Sequence, residues 1–254
     1  MDTLKYYLAE KKFQYYMHKK TIPFLLYALL ITVNEFIFTF IDVKLGFFLY
    51  LCLLVWLFSQ VFSKYKETSF CLDLAITLIP LIRVLSISLP LTEIPFIFWY
   101  LILSIPLFIA GIMIIRVCEY KHTDVGFVLK NLPLQLLIGL GGIPLGFFQY
   151  LFLKPAFIIY PASFRELLLS ASILSLCAGL LEEFLFRGIL YGAAEKVLGS
   201  RIAVFYTSFI YVILHISYKS LINLLFVFAV TLFWNRIFMW QRSIVGLSLA
   251  HGLL

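Results

Sequence analysis

Nine long apolar runs divide this chain of 254 residues, and they constrain its fold more than any other feature. Except for the last, each run is long enough to cross about 30 Å of hydrocarbon as a helix that rises about 1.5 Å per residue. The runs therefore predict an all-α fold, a polytopic transmembrane helical bundle with about eight to nine membrane helices. Their approximate limits are 22–41, 45–63, 70–89, 94–115, 132–153, 167–186, 202–218, 220–238 and 243–254.

The composition excludes the soluble classes of protein. Hydrophobic residues make up 63% of the chain and charged residues 13%, whereas an ordinary soluble domain has about 25% charged residues. With a mean hydropathy of +1.03, the chain cannot build a polar shell around a globule of its size unless lipid covers most of its surface. The same numbers exclude an intrinsically disordered chain.

The basic residues predict the orientation of the chain in the membrane. The net charge is +7, but Lys and Arg come in small groups between apolar runs, which is typical of cytoplasmic loops and not of a nucleic-acid surface. With a cytoplasmic N-terminus, 15 of the 20 Lys and Arg residues fall on the cytoplasmic side, 4 fall on the opposite side, and Arg83 lies within a span. The sequence thus predicts an integral protein of the cytoplasmic (inner) membrane, with the lipid bilayer as a partner and no nucleic-acid partner.

We divide the chain into three parts. Residues 1–20 are a basic amphipathic segment that either lies on the inner leaflet or is a solvated leader. Residues 21–160 hold the N-terminal transmembrane helices, and residues 165–254 hold the polar motifs described below. Because the last run reaches Leu254 after about 12 residues, too few to span, we expect the natural C-terminus to lie further on.

Other polar residues in or beside the runs have structural interpretations. The four cysteines lack a metal-binding spacing and are expected to be small buried apolar residues outside any disulfide. Glu35, Asp73 and Arg83 are expected in helix–helix or interfacial contacts. Asp73 and Arg83 are about 15 Å apart along one helix, too far to pair with each other. The cysteines are Cys52, Cys71, Cys118 and Cys177, and a structural contact is also expected for Asn223 and Asn235.

The sixth run ends in an EExxxR motif, formed by Glu182, Glu183 and Arg187. An ionisable group inside a span is costly unless it is paired or hydrated, so each one needs a partner or a function. Glu183 and Arg187 are four residues apart on one helical face and form a favourable pair. Glu182 is turned by about 100° and has no such partner, while Ala178 and Gly179 leave room above it. The motif therefore separates a structural acid from an available one.

Two histidines follow in later runs. His215 comes four residues after Tyr211, and His251 comes eight residues after Ser243. A lone histidine in an apolar helix is more often a satisfied core residue than a catalytic one. Two histidines downstream of paired carboxylates, however, supply the groups that general acid–base hydrolysis requires.

Together these residues resemble the CPBP intramembrane proteases, a family that includes CAAX prenyl endopeptidases and the bacterial Abi relatives. The family pattern is EExxxR, then FxxxH, then HxxxN with a serine about eight residues before the last histidine. The first motif is complete here, and Tyr211 replaces the phenylalanine of the second. Ser243 and His251 match the third, whose asparagine would fall one position beyond Leu254. The resemblance covers roughly residues 165–254 and leaves the upstream helices unmatched.

The resemblance implies a glutamic intramembrane endopeptidase, acting without a cofactor on a peptide bond of a membrane-associated or lipid-anchored protein. Glu182 would activate a water molecule as general base, His215 would orient or share the proton, and His251 would help to stabilise the oxyanion. The supporting residues would be Glu183, Arg187 and Tyr211, the first two holding the helix end. We expect these groups to line a water-filled chamber open toward the cytoplasm.

Three alternatives stay open at this point, of which a transporter is the weakest because no pair of matching broken helices is apparent. Two histidines and a carboxylate also satisfy a catalytic zinc site, although the resemblance favours chemistry without a metal. A non-enzymatic immunity or binding protein could instead keep the polar cluster as a structural or binding site. Replacing Glu182 by Gln separates this last class from an enzyme, because Gln still forms hydrogen bonds but cannot act as a general base.

Overall fold

The computed structural model describes residues 21–65, 67–88, 94–154 and 163–254, and this part of the chain is helical with no strand. The predicted basic segment 1–20 lies outside the described residues. Each helix begins close to the start of a predicted apolar run, so the polytopic helical bundle is confirmed. The helices are α1 Thr21–Ile41, α2 Val43–Ser63, α3 Phe70–Ser88, α4 Ile97–Val117, α5 Leu132–Leu153, α6 Phe164–Leu198, α7 Ser200–Tyr218, α8 Leu221–Gln241 and α9 Val245–Leu253.

Eight of these helices, α1 to α8, are long and apolar enough to cross a membrane, and the chain is an integral membrane protein. The ninth, α9, has only nine described residues. It packs against the first half of α5 and the middle of α6. Glycines allow this close approach, since a Cβ atom on Gly179 would lie 2.5 Å from the carbonyl oxygen of Ser248 and one on Gly142 would overlap the carbonyl of Ala250.

The sixth helix is much longer than the sequence predicted. The apolar run suggested a span over 167–186, but α6 continues to Leu198 and has 35 residues. The run was cut short because Arg187 reads as a polar boundary, whereas its side chain is only 1% exposed and is paired inside the bundle. The EExxxR motif therefore lies in the middle of α6 and not at the end of a span.

The backbone of α6 is widened on both sides of the two glutamates. Residues Ser175–Leu180 and Phe184–Tyr191 are π-helical, and only Leu181–Glu183 between them is α-helical. Such π-helical segments are rare, and many of those known lie at functional sites. Since the end of α1, Ile37–Ile41, is also π-helical, the widened backbone agrees with a functional site at the two glutamates but does not by itself identify one.

One expectation about the cysteines is wrong. Cys71, at the start of α3, and Cys118, just after α4, form a disulfide with their Cα atoms 5.8 Å apart. The two residues are 47 positions apart, and they meet because the start of α3 lies beside the end of α4, which no local spacing could show. Cys52 is exposed on α2, and Cys177 alone is the buried apolar residue that was expected.

The upstream ionisable residues form helix–helix contacts, as expected. Glu35 of α1 is fully buried and accepts two hydrogen bonds from Arg83 of α3, at 2.6 and 2.9 Å, and a third from Tyr50 of α2 at 2.5 Å. Asp73 pairs with Lys64 at 3.1 Å, and not with Arg83. These pairs connect α1, α2 and α3 through groups that would be costly in lipid if left alone.

We expect Arg83→Gln to destabilise the fold by about 3–5 kcal/mol, because it leaves the buried Glu35 carboxylate without its cation. Unfolding of the purified protein in detergent measures this change. Lys44→Gln is the control, since Lys44 is exposed on α2 and surface changes of this kind stay within about 0.5 kcal/mol. Equal stability of the Arg83 variant and the wild type would contradict the proposed role of this pair.

Candidate active site

The two adjacent glutamates of α6 occupy different environments. The side chain of Glu182 is 35% exposed and faces a cavity, whereas that of Glu183 is 0% exposed. This difference follows from the turn of about 100° between neighbours on a helix. The two acids therefore differ in the way that the sequence predicted: Glu182 is accessible from a cavity, and Glu183 is buried.

The side chain of Glu183 contacts a histidine as well as the arginine with which the motif predicts it to pair. Its Oε1 atom accepts a hydrogen bond from Arg187 at 3.0 Å and lies 3.0 Å from Nδ1 of His251. A carboxylate oxygen can only accept, so Nδ1 of His251 carries a proton. Glu183 thus fixes the orientation of the histidine on α9, a role that the sequence did not reveal because the two residues are 68 positions apart.

The guanidinium of Arg187 is buried against aromatic rings. It lies 5.0 Å from the ring centre of Tyr211 on α7 and 5.5 Å from that of Trp234 on α8. Cation–π contacts of this kind are strongest where water is excluded. Arg187 therefore links α6 to both neighbouring helices of the site.

Glu182 is surrounded by groups that can exchange protons. The hydroxyl of Tyr211 donates a hydrogen bond to its Oε2 atom at 2.8 Å, and Nε2 of His251 lies 3.7 Å from the same oxygen. The tyrosine that replaces the family's phenylalanine thus adds a donor to the carboxylate. The other oxygen, Oε1, has no hydrogen bond among the described residues.

His215 is positioned by the turn that ends the regular part of α7. Its Nδ1 atom lies 3.0 Å from the carbonyl oxygen of Tyr211, and because a carbonyl only accepts, Nδ1 is the donor. The other nitrogen, Nε2, is then the proton acceptor of the neutral ring. His215 and Glu182 line the same two cavities, so the three predicted catalytic side chains, including His251, meet at one place.

Two cavities meet at Glu182. One, of about 290 Å³, is enclosed by α4 to α9, and the other, of about 410 Å³, lies between α3, α4, α6 and α7. The sequence did not single out several of the residues that line them, since each is an ordinary aromatic or amide residue whose place depends on long-range packing. These residues are Tyr100, Gln149, Tyr218 and Trp234 in the first cavity, and Trp99 in the second.

Arg83 connects the upstream helices α1 and α3 to the candidate active site. Besides its pair with Glu35, its guanidinium donates a hydrogen bond to the backbone carbonyl of Leu214, the residue before His215. This carbonyl lies where α7 changes from an α-helix to a short 3₁₀ turn. Arg83 therefore holds the backbone that carries the histidine.

The other polar residues of the motif region have structural contacts. Asn235 of α8 donates to Thr207 and Ser208 of α7, at 3.0 and 2.8 Å, and so fixes the packing of these two helices. Ser243 donates to the carbonyl oxygen of Val128 at 2.6 Å and lies just before α9. The structural role expected for Asn235 is confirmed.

The cavity that contains Glu182 extends from the middle of the bundle to one of its ends. His215 is only three residues before the end of α7 at Tyr218, Tyr100 is three residues after the start of α4, and Gln149 is four residues before the end of α5. The charge count assigns these three helix ends to the side opposite the cytoplasm. The expected cytoplasmic N-terminus and the expected cytoplasmic opening of the chamber are therefore incompatible with each other.

The described residues include no group of three or more His, Cys, Asp or Glu side chains arranged to hold a metal ion. In particular, the two nitrogens of His251 already face Glu182 and Glu183. The cavity has room for a water molecule next to a carboxylate and two imidazoles, which is the set of groups that acid–base hydrolysis uses.

Comparison with known proteins gives a family for the part of the chain that carries this site. No curated protein and no solved structure matches the chain significantly. Residues 164–254 match the family described as type II CAAX prenyl endopeptidase Rce1-like. This match confirms, for the segment from α6 to α9, the resemblance to CAAX prenyl endopeptidases that the motifs predicted.

Proposed function

We propose that this protein is an intramembrane endopeptidase that hydrolyses a peptide bond in a membrane-associated or lipid-anchored protein. The observation that carries the proposal is the convergence of Glu182, His215 and His251 on one cavity next to a buried Glu183–Arg187 pair. The similarity of residues 164–254 to Rce1-like endopeptidases supports the same reaction class. The rival, a binding protein without activity, does not require the partly exposed Glu182 beside two imidazoles.

In the proposed reaction, Glu182 takes a proton from a water molecule while the water oxygen attacks the carbonyl carbon of the substrate. Nε2 of His215, the acceptor nitrogen of that ring, orients the same water. The proton then passes to the leaving amine nitrogen as the peptide bond breaks, which restores the Glu182 carboxylate. The hydroxyl of Tyr211 keeps the carboxylate in place through its 2.8 Å hydrogen bond.

His251 has the position of an oxyanion donor. Its Nδ1–H is held by Glu183, and Nε2 points toward Glu182 at 3.7 Å. Because a carboxylate lies near each ring nitrogen, the imidazole can carry a proton on both nitrogens at once and so be positively charged. An Nε2–H donor at this place would stabilise the negative charge that develops on the carbonyl oxygen.

We expect Glu182→Gln to lower the rate of peptide hydrolysis by about 10²–10⁴-fold, the usual contribution of a general base. Cleavage of a membrane-anchored reporter by the purified variant measures the loss. Glu166→Gln on the same helix is the matched control and should keep wild-type activity, because Glu166 is exposed outside the cavities. Wild-type cleavage by the Glu182 variant would show that Glu182 is not the general base, whereas absence of cleavage by the wild type would favour the binding-protein alternative.

The glutamate mechanism also predicts that activity is independent of zinc. A zinc ion held by His215, His251 and Glu182 would occupy the carboxylate that serves as the base, and Glu183 is already paired with Arg187. We therefore expect phenanthroline to leave most of the activity, and elemental analysis to find less than one zinc per chain. Loss of activity on chelation, with recovery on added zinc, would instead make these residues metal ligands.

We further propose that the chamber opens on the side opposite the cytoplasm. Arg187 is buried and is left out of the charge count, which leaves 14 Lys and Arg residues at the end of the bundle away from the chamber opening. These charges favour the cytoplasmic side for that end. The Cys71–Cys118 disulfide lies at that other end, which argues the opposite way because cytoplasmic disulfides are rare. The charge count favours the proposed orientation more strongly than the disulfide opposes it, because many residues contribute to the count and the disulfide is a single pair.

Cysteine labelling in intact cells tests this orientation. We expect an impermeant thiol reagent to label Lys44→Cys and Lys154→Cys from outside, and to reach Lys121→Cys and Lys196→Cys only after permeabilisation. The protein without an added cysteine gives the background, because Cys52 is exposed. Labelling of position 121 or 196 from outside would reverse the orientation and return the chamber to the cytoplasmic side.

A further inference from the structure

Two arginines on the lipid-facing surface lie far from the candidate active site. Arg201 is the second residue of α7, and Arg236 lies five residues before the end of α8. Both side chains are exposed, and both line one cavity of about 360 Å³ together with Val204, Phe205 and Leu232. Within the described part of the chain, neither guanidinium has a carboxylate partner.

The depth of Arg236 makes this arrangement unusual. Its neighbour Asn235 donates hydrogen bonds to Thr207 and Ser208 of α7. These two residues come almost two helical turns after Arg201, so Arg236 lies further from the end of the bundle than the backbone of Arg201 does. Arg236 is therefore exposed on the apolar helix surface, more than one turn from the end of α8. A lipid-facing guanidinium is costly unless an anion neutralises it or the side chain extends to the headgroup region.

An apolar groove continues from the arginines along the bundle. The groove has a volume of about 450 Å³, and Phe205 lines both this groove and the cavity that contains Arg201 and Arg236. Its walls are Phe24, Leu25 and Leu29 of α1 and Phe209 of α7, almost without polar atoms. The structure thus places two cations at one end of a groove that is shaped for a hydrocarbon chain.

We propose that these two cavities form a binding site for an anionic phospholipid. Arg201 and Arg236 bind the phosphate of the headgroup, for which the guanidinium group is well suited. One acyl chain of the lipid lies in the groove between α1 and α7. Basic pockets between membrane helices recognise anionic headgroups through this combination of charge and apolar surface. The site is separate from Glu182 and does not depend on the proposed hydrolysis.

Native mass spectrometry of the purified protein, with defined lipids added in detergent, tests the proposal. We expect the wild type to retain phosphatidylglycerol in preference to phosphatidylcholine. The Arg201→Gln/Arg236→Gln double variant should bind phosphatidylglycerol about 30-fold more weakly, since two surface cations together contribute about 2 kcal/mol. Arg116→Gln removes one exposed charge from the end of α4 at the same side and should bind as the wild type does.

Two further measurements test the groove itself. Phe205→Ala should weaken phosphatidylglycerol binding without changing a charge, and inorganic phosphate at millimolar concentration should not displace the lipid. Equal retention of both lipids by the wild type, unchanged binding by the double variant, or displacement by phosphate would each overturn the proposal. Because none of these measurements uses a protease substrate, their outcome is independent of the proposed enzymatic activity.

Discussion

The arrangement of the candidate site depends on one buried carboxylate. Glu183 is fully buried, and a single oxygen of its side chain contacts both Arg187 and His251 at 3.0 Å. Arg187 in turn lies against the rings of Tyr211 and Trp234, so all four helices from α6 to α9 meet around one charge. In a low-dielectric interior such a charge must keep its partners, since removing one costs about 3–5 kcal/mol. The electrostatics therefore determines which helices pack together, and the packing determines where the histidine lies.

Two identical side chains at adjacent positions can then have different chemistry. Because Glu183 satisfies the arginine and one nitrogen of His251, Glu182 is not paired with a guanidinium, and its side chain faces the cavity. Among the described residues, its close donors are the hydroxyl of Tyr211 and Nε2 of His251 when that nitrogen carries a proton. Glu182 therefore contacts a cavity that a water molecule can enter, whereas the side chain of Glu183 is fully buried.

The sequence predicted the parts of the structure that depend on lipid and on local spacing. Eight spans follow from the thickness of the hydrocarbon core, and the Glu183–Arg187 pair follows from a separation of four residues on a helix. The end of α6 was missed because a hydropathy pattern treats every arginine as solvated, whereas Arg187 is neutralised inside the bundle. The Cys71–Cys118 disulfide and the contact of Glu183 with His251 join residues 47 and 68 positions apart. Contacts of this kind depend on how helices are arranged, which no spacing along one helix contains.

The upstream helices are part of the site although the family match begins only at residue 164. Arg83 on α3 binds the carbonyl of Leu214, next to His215, and is itself held by Glu35 on α1. Tyr100 on α4 and Gln149 on α5 line the cavity that contains Glu182. A segment consisting of residues 164–254 alone would thus keep the carboxylates and histidines but lose two cavity walls and the group that fixes the end of α7. Because catalysis requires that the reacting groups be held in a productive geometry, the hydrolysis proposed for this site depends on the unmatched helices as well as on the matched ones.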